Sequence, residues 1–246
     1  GAAKISTTAA TTGELLADRA AIEAAAASEG SVSIDELSLL SPVTTPCRVI
    51  AQMTNFESHV RDSGMDPKTV PLTFFRKSSA SISGPFDEVF RPSHVNLLDY
   101  EIEIGLVIGR DVPAGTTITD ANLADYIAGL TITNDVSARD QQKKDGQWMR
   151  AKGHDTFCPV GPWIVTDVDP ADLEIRTEVN GEIKQRSRTS LMIHDIGAIV
   201  EWISAVMTLL PGDLILTGTP EGVGPLEHGD TVAITVEGIG TLTNPV

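Results

Sequence analysis

Cysteine, histidine and positive charge are all scarce in this chain of 246 residues. Its two cysteines, Cys47 and Cys158, show no C-x-x-C spacing, which argues against a thiolate zinc cluster or a disulfide framework and reads as two buried thiols. Lysine and arginine number 18 against 34 aspartate and glutamate, for a formal charge of −16 and a pI of about 4.6. Nucleic acid and anionic membrane surfaces would both repel such a chain, so neither is an expected partner. No apolar run approaches the ~20 residues of a membrane span. The N-terminal stretch carries one early lysine but no apolar signal segment, and the expectation is a cytoplasmic protein.

With 41% hydrophobic and 21% charged residues, the chain can bury a substantial core. The division expected is a short appendage over residues 1–45, a helix plus a strand, followed by one large domain over residues 46–246. GELLADRAAIEAAAAS has the spacing and alanine content of a short helix. SIDELSLLSPVTTPCRVIAQMTN tends toward strand and is interrupted by Pro42 and Pro46, and the serine-rich SSASISGP reads as a loop. Downstream, short β-branched runs alternate with turns. They include AGLTITND, a short helix DANLADYI capped by Asp120, and LEIRTEV and EIKQRSR joined by Asn180-Gly181, which suit a type I′ hairpin turn. One amphipathic helix carries Ile196, Ile199, Val200, Ile203 and Val206, with a stop signal at Pro211-Gly212. The fold class expected is α+β and β-dominated.

LLDYEIEIGLVIG, residues 97–109, reads as a buried strand yet holds Glu101 and Glu103 two apart, and therefore on one face. Carboxylates that close on a buried face repel one another and lose hydration unless a proton or a cation intervenes. The bland alternative is a solvated face. Asp135, at the end of AGLTITND, is a candidate third acid, and three oxygen ligands without histidine or thiolate suit Mg²⁺ or Mn²⁺ better than zinc. NFESHVRD places His59 and Asp62 three apart, on one face of a helical turn, where a carboxylate can orient an imidazole.

Six segments in order resemble the fumarylacetoacetate hydrolase family: NFESHVRD, PLTFFRKSSASISGP, DYEIEIGLVIGR, NDVSARDQQ, AKGHDTFCPVGPW and ILTGTPEGVG. The resemblance implies a mixed β-sandwich roll, a homodimer, and a divalent cation (Mg²⁺ or Mn²⁺, with Ca²⁺ as a crystal stand-in) on Glu101, Glu103 and Asp135. It implies a His59–Asp62 catalytic pair, Lys152 and Thr156 beside the metal carboxylates, and residues 57–70 as a lid hinged at Gly64. Asp62 and Phe56 depart from the family's usual Glu and Tyr. For an anionic keto-acid substrate, Arg139 offers a bidentate carboxylate pair, Gln142 an amide donor, and Gly218 with Thr219 a carboxylate-holding turn. Lys77 reads equally as a site residue or as a solvated lysine.

The leading expectation is a metal-dependent hydrolase that cleaves a carbon-carbon bond of an acylpyruvate or fumarylacetoacetate-like 1,3-diketo acid through a metal-bound enolate. The alternative is an isomerase, decarboxylase or hydratase of related enol diacids at the same site. A non-catalytic protein with a structural Ca²⁺ explains the acids but not His59, Arg139 and Lys152 together.

Overall fold

β-branched and aliphatic runs broken by glycine and proline fold into fourteen strands among the residues described by the computed structural model, 1–30 and 32–246. In chain order these are β1 (Val49–Gln52), β2 (Phe74–Lys77), β3 (Ile82–Ser83), β4 (Leu98–Tyr100), β5 (Ile102–Ile108), β6 (Ile127–Asn134) and β7 (Ser137–Ala138). They continue with β8 (Cys158–Val165), β9 (Glu174–Val179), β10 (Glu182–Arg188), β11 (Leu214–Leu216), β12 (Gly224–Pro225), β13 (Thr231–Val236) and β14 (Gly240–Pro245). A seven-stranded sheet runs β2-β1-β11-β5-β6-β8-β3, a four-stranded sheet β10-β9-β13-β14, and a small third sheet β12-β4-β7. The α+β, β-dominated expectation holds.

The large sheet is covered on both faces. Ile50, Ile102, Ile104, Leu106, Ile108, Ile132 and Ile215 point into the larger core, while Val49, Ala51, Val107, Val160, Leu214 and Leu216 form a second, smaller one. Every residue of β5 is buried in consequence. The amphipathic helix, Ile196–Val206, lays Ile199, Val200 and Ile203 into the larger core, and Asp195 caps it by accepting from Ala198 N–H at 2.8 Å. The hairpin turn is built as expected, with Asn180 at φ 53° and Gly181 at φ 81°.

The appendage differs from expectation. Its single helix is two, α1 (Thr12–Ala17) and α2 (Arg19–Ala26), because Asp18 leaves helical geometry and its carboxylate accepts from Ala21 N–H instead. α2 buries no residue that would favour a continuous rod. The expected strand within residues 33–45 is absent: Ile34–Glu36 forms a 3-10 turn, and Pro42 and Pro46 have no N–H to give a ladder. Thr12 ties the appendage down by accepting from Thr44 N–H at 3.0 Å and donating to Pro42 O at 2.9 Å, while Leu16 packs on the smaller core. Elsewhere, DANLADYI shortens to the 3-10 turn Leu123–Asp125, and Asn122, not Asp120, accepts from Thr119 N–H. SSASISGP contains the 3-10 turn Ser79–Ser81 and β3.

Candidate metal and active site

The segment LDYEIEI crosses from one sheet to another. β4 belongs to the small sheet and β5 to the large one, and Glu101 is the residue between them. β5 pairs antiparallel with β6 in a register that opposes Ile102 to Asn134 and Glu103 to Thr133. The same register puts Asp135 across from Glu101, where Asp135 N–H donates to Glu101 O at 2.9 Å. Asn134 Oδ1 accepts from Glu101 N–H at 2.9 Å and pins the crossover. Strand pairing therefore brings Glu101, Glu103 and Asp135 together, with a ligand oxygen from each within 4.8 Å of the others. Their exposures of 4%, 1% and 1% rule out the solvated-face alternative.

Buried cations surround two of the three acids. Lys152, on α5 (Met149–Lys152), sits with Nζ 2.5 Å from Asp135 Oδ2 and 3.2 Å from both Glu101 oxygens. Lys77, the last residue of β2, is 1% exposed and ion-paired with Asp135, so it is no solvated lysine. Arg139 opens the short helix α4 (Arg139–Gln142). Its Nε donates to Asp99 at 2.7 Å, its Nη2 pairs with Glu101, and its Nη1 donates to Gln142 Oε1 at 2.6 Å. The carboxylates that Arg139 grips are thus the protein's own. Burial opposes ionisation of Glu101, but Arg139, Lys152 and His59 overcome it and hold the carboxyl at about 2. Burial likewise opposes the charge on Lys152, and Asp135 and Glu101 raise its pKa above the ordinary lysine value.

Glu103 has no such counter-ion. Among the described residues its carboxyl accepts one hydrogen bond, from Gly218 N–H at 2.5 Å, and burial together with Asp135 and Glu101 raises its pKa well above the usual carboxylate range against the pull of Lys152. A buried acid with two acidic neighbours and one backbone donor lacks a positive charge at that point. The three residues fit a hard divalent cation: all donors are carboxylate oxygens, none is exposed, and Glu103 is the one acid of the three without an ion pair among the described residues, Lys152 acting on it only as a more distant charge.

A cavity of about 450 Å³ reaches this cluster at Glu101, with Glu103 and Asp135 lying behind its wall. Glu101, Arg139, Gln142 and Lys152 line it from below, and His59, Asp62, Ser63 and Met65 from the segment expected to be a lid. That segment forms α3 (Glu57–Asp62) and the 3-10 turn Pro67–Thr69, with Gly64 between them at φ 75°. His59 and Asp62 share the cavity, but no hydrogen bond joins them; Asp62 acts on the imidazole only as a charge. Burial lowers the His59 pKa below the ordinary histidine value, with Arg139 and Lys152 adding to the fall and Glu101 and Asp62 opposing it. Phe56 is fully buried and lies outside the cavity wall.

Three expected ligand contacts are engaged elsewhere. Gly218 N–H is given to Glu103, Thr219 Oγ1 accepts from Gln185 Nε2 at 3.0 Å, and Thr156 Oγ1 accepts from Phe90 N–H at 2.8 Å. None of the three lines the cavity. Gly218 takes φ 100° with its Cα against Asn55, where a Cβ would lie 2.6 Å from Asn55 Cβ, so glycine is required there for the turn rather than for a ligand. Asp99 was not singled out from sequence, although it continues the two-residue period of Glu101 and Glu103. Trp148, Met53 and Thr54 carried no sequence signal, because their arrival at the cavity depends on how loops pack.

Residues 48–246 match the model of a protein family described as fumarylacetoacetate (FAA) hydrolase C-terminal. Among solved structures, a 5-carboxymethyl-2-hydroxymuconate delta-isomerase from Mycobacterium smegmatis is 56% identical, with a TM-score of 0.79 over 87% of this chain and 82% of that one. A maleylpyruvate hydrolase from Sphingobium sp. SYK-6, in complex with manganese(II) and pyruvate, is 33% identical with a TM-score of 0.79, over 96% of this chain and 83% of that one. The mitochondrial oxaloacetate tautomerase Fahd2a of Rattus norvegicus is 39% identical over 222 residues, 86% of this chain and 70% of its own length.

Proposed function

This chain belongs to the fumarylacetoacetate hydrolase family, and from that premise we propose that it is a divalent-metal-dependent enzyme that moves a proton on a small enolisable α-keto diacid, interconverting keto and enol forms. The observation that carries this reading is the placement of His59: it lines the cavity with Glu101, Arg139 and Lys152, neither ring nitrogen is hydrogen-bonded among the described residues, and burial with the two cations lowers its pKa below the ordinary histidine value, favouring the neutral ring. Such an imidazole can take a proton from the carbon beside the keto group and return it. A cation held by Glu101, Glu103 and Asp135 would supply Lewis-acid polarisation of the keto-acid oxygens. Lys152 stands beside the same carboxylates, where its ammonium stabilises negative charge developing on the substrate. Arg139 fixes Glu101, and Gln142, whose Oε1 accepts from Arg139, lines the cavity with its amide N–H donors available to a ligand. The names of the 56% identical isomerase and of the tautomerase support the same class of chemistry.

Carbon-carbon hydrolysis of an acylpyruvate is the second reading. It is favoured by His59 and Asp62 lying on one short helix that lines the cavity, and by the name of the Sphingobium relative, a maleylpyruvate hydrolase. In this reading ligand closure would bring Asp62 onto the ring, and His59 would activate a water instead. The proposal includes a homodimer, which light scattering after size-exclusion chromatography would read. Protein loaded with Mg²⁺ or Mn²⁺ is to be given enol oxaloacetate and, separately, acetylpyruvate. Ultraviolet loss of the enol faster than in buffer, without mass change and abolished in His59→Ala, is expected. Two product fragments from acetylpyruvate would establish the second reading, and the absence of both enol loss and fragmentation would overturn the two readings together.

A further inference from the structure

A second cavity, of about 530 Å³, adjoins the catalytic one and shares Met53 and Trp148 with it. Its remaining wall includes Phe74, Phe75, Arg76 and Met149. In a chain only 4% aromatic, two partly exposed rings, Phe75 and Trp148, meet at this groove; Phe74, the neighbour of Phe75 on β2, packs against the larger core, and Phe75 also rests on the smaller one. Phe75 packs edge-on against Trp148, with centroids 5.3 Å apart, and its ring lies 5.0 Å from Lys152 Nζ. One ring therefore touches both the ammonium of the reaction centre and the wall of the second chamber. At the rim Arg76 is exposed and has no ion-pair partner among the described residues, although acids outnumber bases almost two to one in the chain.

We propose that the two cavities form one groove, in which the keto-acid head lies at His59 and Lys152, and a planar apolar arm of the substrate lies between Met53, Phe75 and Trp148 with a terminal carboxylate at Arg76. This inference rests on the keto-acid reading of the first cavity. An apolar planar arm suits aromatic walls because it buries surface and stacks on the rings at little cost in rotamer freedom. A solvent-edge guanidinium adds selectivity for an anionic tip, screened by salt because it is exposed. Phe75, Trp148 and Arg76 are specificity-determining residues on this view, while bond making and breaking stays with His59 and the acidic cluster.

The test uses the metal-loaded protein and three acylpyruvates that share one head: acetylpyruvate, benzoylpyruvate and para-carboxybenzoylpyruvate. The readouts are ratios of kcat/KM, for enol loss or cleavage alike, and quenching of tryptophan fluorescence on binding. Benzoylpyruvate should exceed acetylpyruvate by about tenfold or more, the amount expected for burying one ring. The para-carboxylate should add about threefold at low salt, an exposed ion-pair effect. Arg76→Gln, at an exposed position without a partner, should erase the second factor and spare the first. Trp148→Phe should lose the quenching, and Met149→Ala should shrink the first factor. Equal kcat/KM for all three compounds with head turnover intact overturns the inference and leaves the proposed reaction standing. Arm-dependent quenching without turnover of any compound supports the groove and overturns the proposed reaction. A preference for the carboxylated arm that persists in Arg76→Gln refutes the role of that arginine.

Discussion

Removing the negative charge of Glu103 while keeping its shape, as in Glu103→Gln, isolates the feature on which the metal assignment depends. In the wild type, a cation that binds only the folded chain stabilises it by RT ln(1 + [M]/Kd), about 2.7 kcal/mol at a hundred times Kd. For a chain of this size that corresponds to a rise of about 5–10 °C in melting temperature. Loss of a neighbouring hydrogen-bond partner alone costs a metal site about 10–100-fold in affinity, so loss of a ligand should cost at least the upper figure. At the same metal concentration the variant would then sit near its own Kd and gain only about 0.4 kcal/mol, roughly 1 °C. Without metal the order reverses. The folded-state pKa of Glu103 lies above its unfolded value, so its contribution to stability is present at low pH and is lost as pH rises through the folded pKa. Glutamine carries no such liability, and the metal-free variant should equal or exceed the metal-free wild type at pH 7. Differential scanning calorimetry with and without Mn²⁺, at pH 5 and pH 7, reads both effects. A variant that keeps the full metal-induced rise, or a metal-free wild type whose advantage over the variant grows with pH, would refute the reasoning.

Four further outcomes follow from the same geometry. His59→Ala should lower kcat by about 10²–10⁴ with metal affinity intact. In the wild type, activity should rise with pH along an acid limb centred below the ordinary histidine value of about 6.5, because the working form is neutral and burial with Arg139 and Lys152 lowers the ring pKa; a limb at or above that value contradicts the assignment. Arg139→Gln leaves Asp99 and Glu101 without their shared guanidinium and should cost about 3 kcal/mol in denaturant unfolding, a reading that an unchanged midpoint would exclude. Gly105→Ala places a methyl 2.7 Å from Thr133 Cγ2 and 2.9 Å from Thr131 Cγ2, on the strand face that carries Glu103. Overpacking there should cost about 1–3 kcal/mol and weaken metal binding measured by calorimetry.

Much of the site was legible because strand and turn chemistry are local. The two-residue period put Glu101 and Glu103 on one face, and the Asn180-Gly181 turn and the amphipathic helix from Ile196 appear where their residues indicate. Local signals failed where stability is borrowed from elsewhere. The appendage helix broke at Asp18 since nothing buries its second half, and prolines kept residues 37–46 out of any strand. Lys77 could not be told from a solvated lysine, as its burial depends on Asp135, 58 residues away in sequence.

The class of fold, the pairing of two acids on one strand face and the chemistry of the donors follow from side-chain type and strand period, which need no partner. That Asp135 lies across from Glu101 comes from long-range packing, through the antiparallel register of β5 with β6. The same packing also decides that Arg139 and Gly218 serve the protein's own carboxylates, that Lys77 and Lys152 neutralise two acids, and that Glu103 is left without a counter-ion. Charge compensation is a sum over neighbours brought together from distant segments, and no local stretch of sequence contains that sum.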